Sequence, residues 1–185
     1  MSEAIRDRAA RADRPDPREG PDQRWSGLLG EPGLPERRIA TAGPDETARL
    51  GALLAGRAAA GDVLCLWGDL GAGKTVFASG FGAGLGVSET ITSPTFVLMA
   101  EYAGRLPLFH LDLYRLADET DAFESGLIDD RQAAGVTLIE WPDRMASTLP
   151  TRRLDVVIES EDDDVRRITL RAGATDLVRY LDAVA

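Results

Sequence analysis

Gly68-Asp69-Leu70-Gly71-Ala72-Gly73-Lys74-Thr75 is the stretch on which the fold of this chain turns. It fits G-x-x-x-x-G-K-T, the Walker A phosphate loop. Lys74 is the only lysine in 185 residues, in a chain whose other strongly basic side chains are all arginine. The loop needs a slim, flexible ammonium that lies along the phosphates and reaches the β and γ oxygens. A planar guanidinium is too wide for that task. Gly68, Gly71 and Gly73 allow positive φ and a close approach of backbone to phosphate. Thr75 offers its hydroxyl to Mg²⁺.

The flanks support the motif. Asp62 to Trp67 is a short apolar run after Gly61, which predicts a buried strand. Thr75 to Phe81 opens a helical pattern. Strand, glycine loop and helix aim loop amides and a helix N-terminus at an anion. The alternative is a glycine-rich turn without a ligand, and the flanking elements speak against it. The expected fold is α/β, a P-loop NTPase-like three-layer fold. Its mixed sheet includes added antiparallel strands.

Working outward, residues 1–36 are rich in Arg, Asp, Pro and Gly and poor in apolar side chains. Such a segment cannot bury enough surface to offset its ordering entropy, so a disordered extension is expected. Met1 to Ala12 is a candidate short helix. Trp25, Leu28 and Leu29 form an apolar island that either docks or touches the body transiently. The domain itself is expected over 37–185. A helix begins at Pro44-Asp45-Glu46-Thr47, with Ala48, Leu50, Leu53 and Leu54 as apolar positions and Gly61 as its end. Gly82 to Gly86 reads as the stop of the loop helix. Strands are expected over 95–102 and 106–113, turning at Gly104-Arg105, and over 136–139. A short helix near Asp121 to Glu124 precedes Gly126. A late hairpin joins 154–159 to 166–170 around Asp162-Asp163-Asp164, and Thr175 caps a terminal helix. Those aspartates and Asp129-Asp130-Arg131 read as solvated charge.

Composition narrows the function. The net charge of −10 disfavours a protein that grips nucleic acid directly. The single cysteine, Cys65, excludes an intrachain disulfide and falls in the strand before the loop, where packing is its expected role. No run reaches transmembrane length and the N-terminus lacks an apolar h-region, so a cytoplasmic protein with no membrane partner is expected. The chain contains no asparagine. The N-K-x-D guanine-reading motif therefore cannot be built, and ATP is the expected nucleotide.

Three further stretches carry candidate chemistry. In His110-Leu111-Asp112-Leu113-Tyr114-Arg115, alternation puts His110, Asp112 and Tyr114 on one face. Either Asp112 helps hold hydrated magnesium or orients a water, with His110 holding Asp112, or the three line a solvated face of an edge strand. Glu140 follows the apolar strand Val136-Thr137-Leu138-Ile139. Either it is the acid that a phosphate-loop enzyme needs near its metal, or it is a surface glutamate at a strand end. Trp141 covers the site or belongs to the core. Ser93-Pro94-Thr95-Phe96 is either a γ-phosphate-sensing loop or a plain turn into a strand.

Taken in order, the loop, Ser93-Pro94-Thr95-Phe96, His110 to Leu116 and Ile139-Glu140-Trp141-Pro142 resemble the TsaE family, bacterial ATPases of tRNA threonylcarbamoyladenosine biosynthesis. The resemblance covers about residues 40–171. It implies slow ATP hydrolysis with Mg²⁺, and action with TsaD and TsaB in modifying N6 of adenosine 37 in tRNAs that read ANN codons. The tRNA is engaged indirectly, through that complex. It implies that Asp69, Leu70, Gly71, Ala72, Gly73, Lys74, Thr75 and Val76 form the nucleotide loop, with Thr47 near the adenine. Val76 stands where a second Thr is common, outside the phosphate contacts. Lys74, Asp112 and Glu140 are the implied catalytic set, and Thr75 and Glu140 the implied metal ligands. No arginine of the chain stands out as an arginine finger, and Arg115 is only a candidate. The competing readings are a phosphate-loop small-molecule kinase, which usually needs an arginine-rich lid, and an ATP-dependent scaffold without catalysis. Only Arg152 and Arg153 stand near where such a lid would be.

Overall fold

The computed structural model describes residues 25, 27–29, 33–116, 127 and 130–185. The short helices expected at 1–12 and 121–124 lie outside them. The strands are β1 (Glu36–Thr41), β2 (Asp62–Trp67), β3 (Met99–Tyr102), β4 (Leu108–Asp112), β5 (Val136–Glu140), β6 (Leu154–Ser160) and β7 (Arg166–Ala172). The helices are α1 (Pro44–Ala55), α2 (Lys74–Gly84) and a short α3 (Val178–Asp182). The seven strands form one sheet in the order β1-β7-β6-β2-β5-β4-β3. Strands β6, β2, β5 and β4 run parallel; β7 and β3 are added antiparallel at the two sides, and β1 pairs antiparallel with β7. This is the expected α/β mixed sheet.

Strand β2 reads as a continuous apolar run because both of its faces are covered, as parallel strands usually are. Leu64 and Leu66 face one core with Phe77, Phe81 and Leu54. Cys65 and Trp67 face a second core with Phe109, Leu111, Ile139 and Val157. Helices α1 and α2 cover the first face. The second is covered, among the described residues, by Met145 and Leu149 near the 3₁₀ segment Pro142–Thr148, by Leu116 and Leu127, and by Trp25 and Leu29. Full burial of a side chain such as Phe77 or Phe81 contributes roughly 1.5–3 kcal/mol.

Several boundaries differ from expectation for local reasons. β1 was not foreseen, because Glu36-Arg37-Arg38 is charged; its pairing to β7 supplies the order that its composition does not. Residues 95–97 form a turn, and the strand starts at Met99 after Leu98, whose φ is 65°. Helix α1 ends at Ala55, well before Gly61, and Leu53 faces solvent at 52% exposure. Thr175 does not cap the terminal helix: it opens a 3₁₀ turn, Thr175–Leu177, and Leu177 holds the N-cap position of α3 with no side-chain hydrogen bond. The stop read at Gly82 to Gly86 holds: α2 ends at Gly84, and Gly86 follows with φ of 79°, while Gly82 still lies inside the last turn.

Candidate functional site

The loop takes the geometry its glycines allow. Gly68, Gly71 and Gly73 have φ of 148°, 81° and 108°. A Cβ at Gly68 would also lie 2.4 Å from the Ile158 carbonyl oxygen, so that position needs glycine twice over. Leu70 stands at the exposed tip and Ala72 is buried. The Arg166 guanidinium donates from β7 to the Ala72 carbonyl at 3.0 Å. The sequence offered no signal for this arginine, because its place depends on how β7 docks beside β6.

Lys74 opens α2 and is 5% exposed. Its Nζ donates to the carbonyls of Gly68 at 2.8 Å and Asp69 at 2.9 Å. It also lies 3.8 Å from the centre of the Trp141 ring. Burial lowers its pKa, and the charges of Glu140, Asp112, Asp143 and Asp69 partly oppose that shift. Trp141 holds positive φ, 59°, and packs against Tyr114 with ring centres 4.9 Å apart. Trp141 thus covers the ammonium.

Parallel registration delivers the acids. Leu66 and Asp112 both pair with Glu140 across the sheet, so β2, β5 and β4 end together beside the loop. The Thr75 hydroxyl donates to the Glu140 carboxylate, 3.0 Å from Oε1 and 3.2 Å from Oε2. Asp112 accepts from the Thr95 hydroxyl at 2.7 Å, from the Ser93 hydroxyl, and from the Tyr114 amide at 3.0 Å. The Ser93-Pro94-Thr95 stretch leads through a turn into β3, and its two hydroxyls are bonded to Asp112.

Two expectations need correction here. β4 is not an edge strand with a solvated face: β3 and β5 flank it and all five residues are buried. His110 does not hold Asp112. Its Nε2 lies 2.9 Å from Glu140 Oε1. Alternation holds for His110 and Asp112, but β4 ends at Asp112 and Tyr114 lies beyond it in a turn, exposed; the partner of His110 follows from β4–β5 pairing, which no local pattern encodes.

Thr47 is buried beside the loop, with its Cγ2 4.0 Å from where a Cβ on Gly73 would sit. Its hydroxyl shares a 2.8 Å hydrogen bond with Thr41. Val76 occupies the first turn of α2, and the Arg115 guanidinium lies 4.0 Å over the Phe96 ring. The oxygens of Thr75, Glu140 and Asp112 are hard donors of the kind Mg²⁺ accepts. Mg²⁺ is typically held by one or two carboxylates together with water and substrate phosphates. The glycine cradle and this donor set fit a magnesium–triphosphate pair.

Comparison with known proteins agrees with this geometry. The family model described as threonylcarbamoyl adenosine biosynthesis protein TsaE matches residues 41–168. The tRNA threonylcarbamoyladenosine biosynthesis protein TsaE of Bacillus subtilis is 46% identical over 133 residues, covering 71% of this chain and 83% of the relative. Its counterpart in Treponema pallidum is 42% identical over 133 residues, covering 72% and 98%. The crystal structure of Bacillus subtilis YdiB superimposes with a TM-score of 0.66 at 37% identity, over 82% of this chain and 95% of that one.

Proposed function

The chain belongs to the TsaE family of threonylcarbamoyl adenosine biosynthesis proteins, and on that footing we propose that it binds and hydrolyses ATP with Mg²⁺. The hydrolysis supports threonylcarbamoyl transfer to N6 of adenosine 37 in tRNAs that read ANN codons. The chain acts with the TsaD–TsaB complex and reaches tRNA through it, in the cytoplasm. Residues 37–185 are the ATPase domain, and residues 1–36 are an extension to it.

One observation carries this reading: the loop hydroxyl of Thr75 meets the β5 acid Glu140 at 3.0 Å, next to the buried Lys74. Thr75 and Glu140 would hold Mg²⁺, which when bound neutralises charge on the β and γ oxygens. The loop amides and Lys74 grip the triphosphate and offset charge on the transferring group. Asp112 and Glu140 orient the attacking water. Thr47, beside Gly73, stands near the base. Arg115 rests on Phe96 and is exposed, so the strongest charge stabiliser is left for a partner to supply. Turnover by the chain alone is then slow.

The kinase reading has no support in the arginines. Arg152 is bonded to Asp62 and Asp176, and Arg153 to Asp155. Steady-state ATPase measured with and without TsaD–TsaB tests the proposal, with a rise of at least about tenfold expected on mixing. An unchanged rate counts against the partner. A Glu140→Ala chain should bind ATP yet fail in turnover and tRNA modification. Full modification by that variant would overturn hydrolysis in favour of a scaffold.

A further inference from the structure

His110 is 0% exposed in the middle of β4, on the face that looks toward α2. Its Nε2 touches Glu140 Oε1 at 2.9 Å, and its Nδ1 is buried with no hydrogen-bond partner among the described residues. Burying a polar atom unsatisfied is unfavourable, and an apolar side chain would avoid that cost. Neighbours on the same face are apolar: Leu108 two residues earlier, and Leu138, which pairs with His110 across β5. A leucine here would extend the core without that cost. The imidazole therefore has one polar contact to justify its place, and that contact is Glu140.

The geometry of that contact is directional. A carboxylate oxygen accepts, so the imidazole tautomer with its hydrogen on Nε2 is the one that donates to Glu140 Oε1. The Glu140 carboxylate is held from two sides, by His110 within the sheet and by Thr75 from the N-terminus of α2. The Thr75 hydroxyl is the one the proposed function assigns to Mg²⁺. With that hydroxyl on the metal, His110 would be the remaining side-chain donor to Glu140 among the described residues. We propose that His110 is a positioning residue that braces Glu140 in the orientation used at the magnesium–nucleotide site. This inference rests on the function proposed above for Glu140.

The test uses the full chain and three variants: His110→Leu, His110→Gln and Glu140→Ala. Glutamine can present an amide donor near the place of Nε2, whereas leucine fills the space without one. Thermal unfolding of each unliganded variant is recorded first. Binding of a fluorescent ATP analogue is then titrated with and without Mg²⁺, and kcat and KM are measured separately. His110→Leu should bind the analogue without Mg²⁺ like the parent. It should lose about tenfold or more of the magnesium-dependent gain in affinity and about tenfold in kcat, in line with other residues that orient metal-binding groups. His110→Gln should recover most of both losses. Combining His110→Leu with Glu140→Ala should add little to Glu140→Ala alone, because the brace has nothing left to hold.

Equal defects in the folded Leu and Gln variants would overturn the brace, as would parental magnesium dependence in His110→Leu or additivity in the double variant. A Glu140→Ala chain with undiminished magnesium-dependent binding would overturn the role of Glu140 itself, and this inference with it. A Glu140→Ala defect that His110→Leu does not share would overturn only the brace.

Discussion

Lys74 sits where two carbonyls and an indole ring converge, and that crowding decides what can replace it. Lys74→Ala should abolish measurable nucleotide binding in a fluorescence titration. Lys74→Arg keeps the charge yet should still weaken binding by about 100-fold, because a guanidinium lacks room under Trp141. Near-parental affinity for the arginine variant would show that charge alone suffices. Asp112→Ala removes the acceptor for the Ser93 and Thr95 hydroxyls. It should leave ATP affinity within a few-fold and cut kcat by about 100-fold or more, read from steady-state hydrolysis. Much of this site is legible in sequence. The loop announces itself by spacing, and Glu140 by its position after an apolar strand. What sequence does not encode is which side chains meet across strands. His110 and Glu140 are 30 residues apart, and only β4–β5 registration joins them.

Helices α1 and α2 touch along a line of glycines. A Cβ on Gly51 would come within 2.4 Å of the Phe77 carbonyl oxygen. One on Gly80 would come within 2.0 Å of the Ala48 carbonyl, and one on Gly84 within 2.5 Å of that of Ala52. These positions bring backbone against backbone, and the contact fixes α2 and hence the direction from which Lys74 and Thr75 meet the loop. Gly80→Ala should destabilise the fold by about 1–3 kcal/mol, measured by urea unfolding, because overpacking forces the helices apart. Unchanged stability would mean that the helices part freely. From sequence, the glycines of 82–86 read as a stop, and α2 does end at Gly84, but that pattern does not show that Gly84 also lies against Ala52 of α1. Whether glycine ends a helix or lets another pack closely depends on the neighbour, which is a tertiary fact. The same reason explains Leu53, apolar by pattern but beyond the reach of β-sheet or α2.

At the scale of the whole molecule, the end of β2 away from the loop is closed by charge. Asp62 is fully buried and accepts from Arg152 at 3.0 Å, Tyr180 at 2.6 Å, the Ala59 amide at 2.9 Å and Arg179. Burial pushes its pKa up, but the hydrogen bonds, that of Arg179 foremost, outweigh burial and hold it below the usual range. The folded chain thus binds this proton less readily than the unfolded chain. The stabilisation is complete above the unfolded value near about 3.9 and is lost as pH falls through the lower folded value. Asp62→Asn should lower stability at neutral pH and flatten the loss below about pH 4, in urea unfolding across pH. An unaltered slope would exclude Asp62 as a contributor. On the second face of the sheet, Trp25 is 6% exposed with its ring centre 6.2 Å from that of Trp67. The island, read from sequence as either a docking spot or a transient contact with the body, packs Trp25 and Leu29 into the second core, next to the residue that precedes Gly68. Sheet order, loop and acids all converge on Lys74, where the proposed triphosphate would be held. The most direct test is titration of the full chain and its Lys74→Ala variant with a fluorescent ATP analogue and Mg²⁺. Saturable binding by the parent and none by the variant is expected. No saturation at millimolar ligand, or equal binding by both, would contradict it.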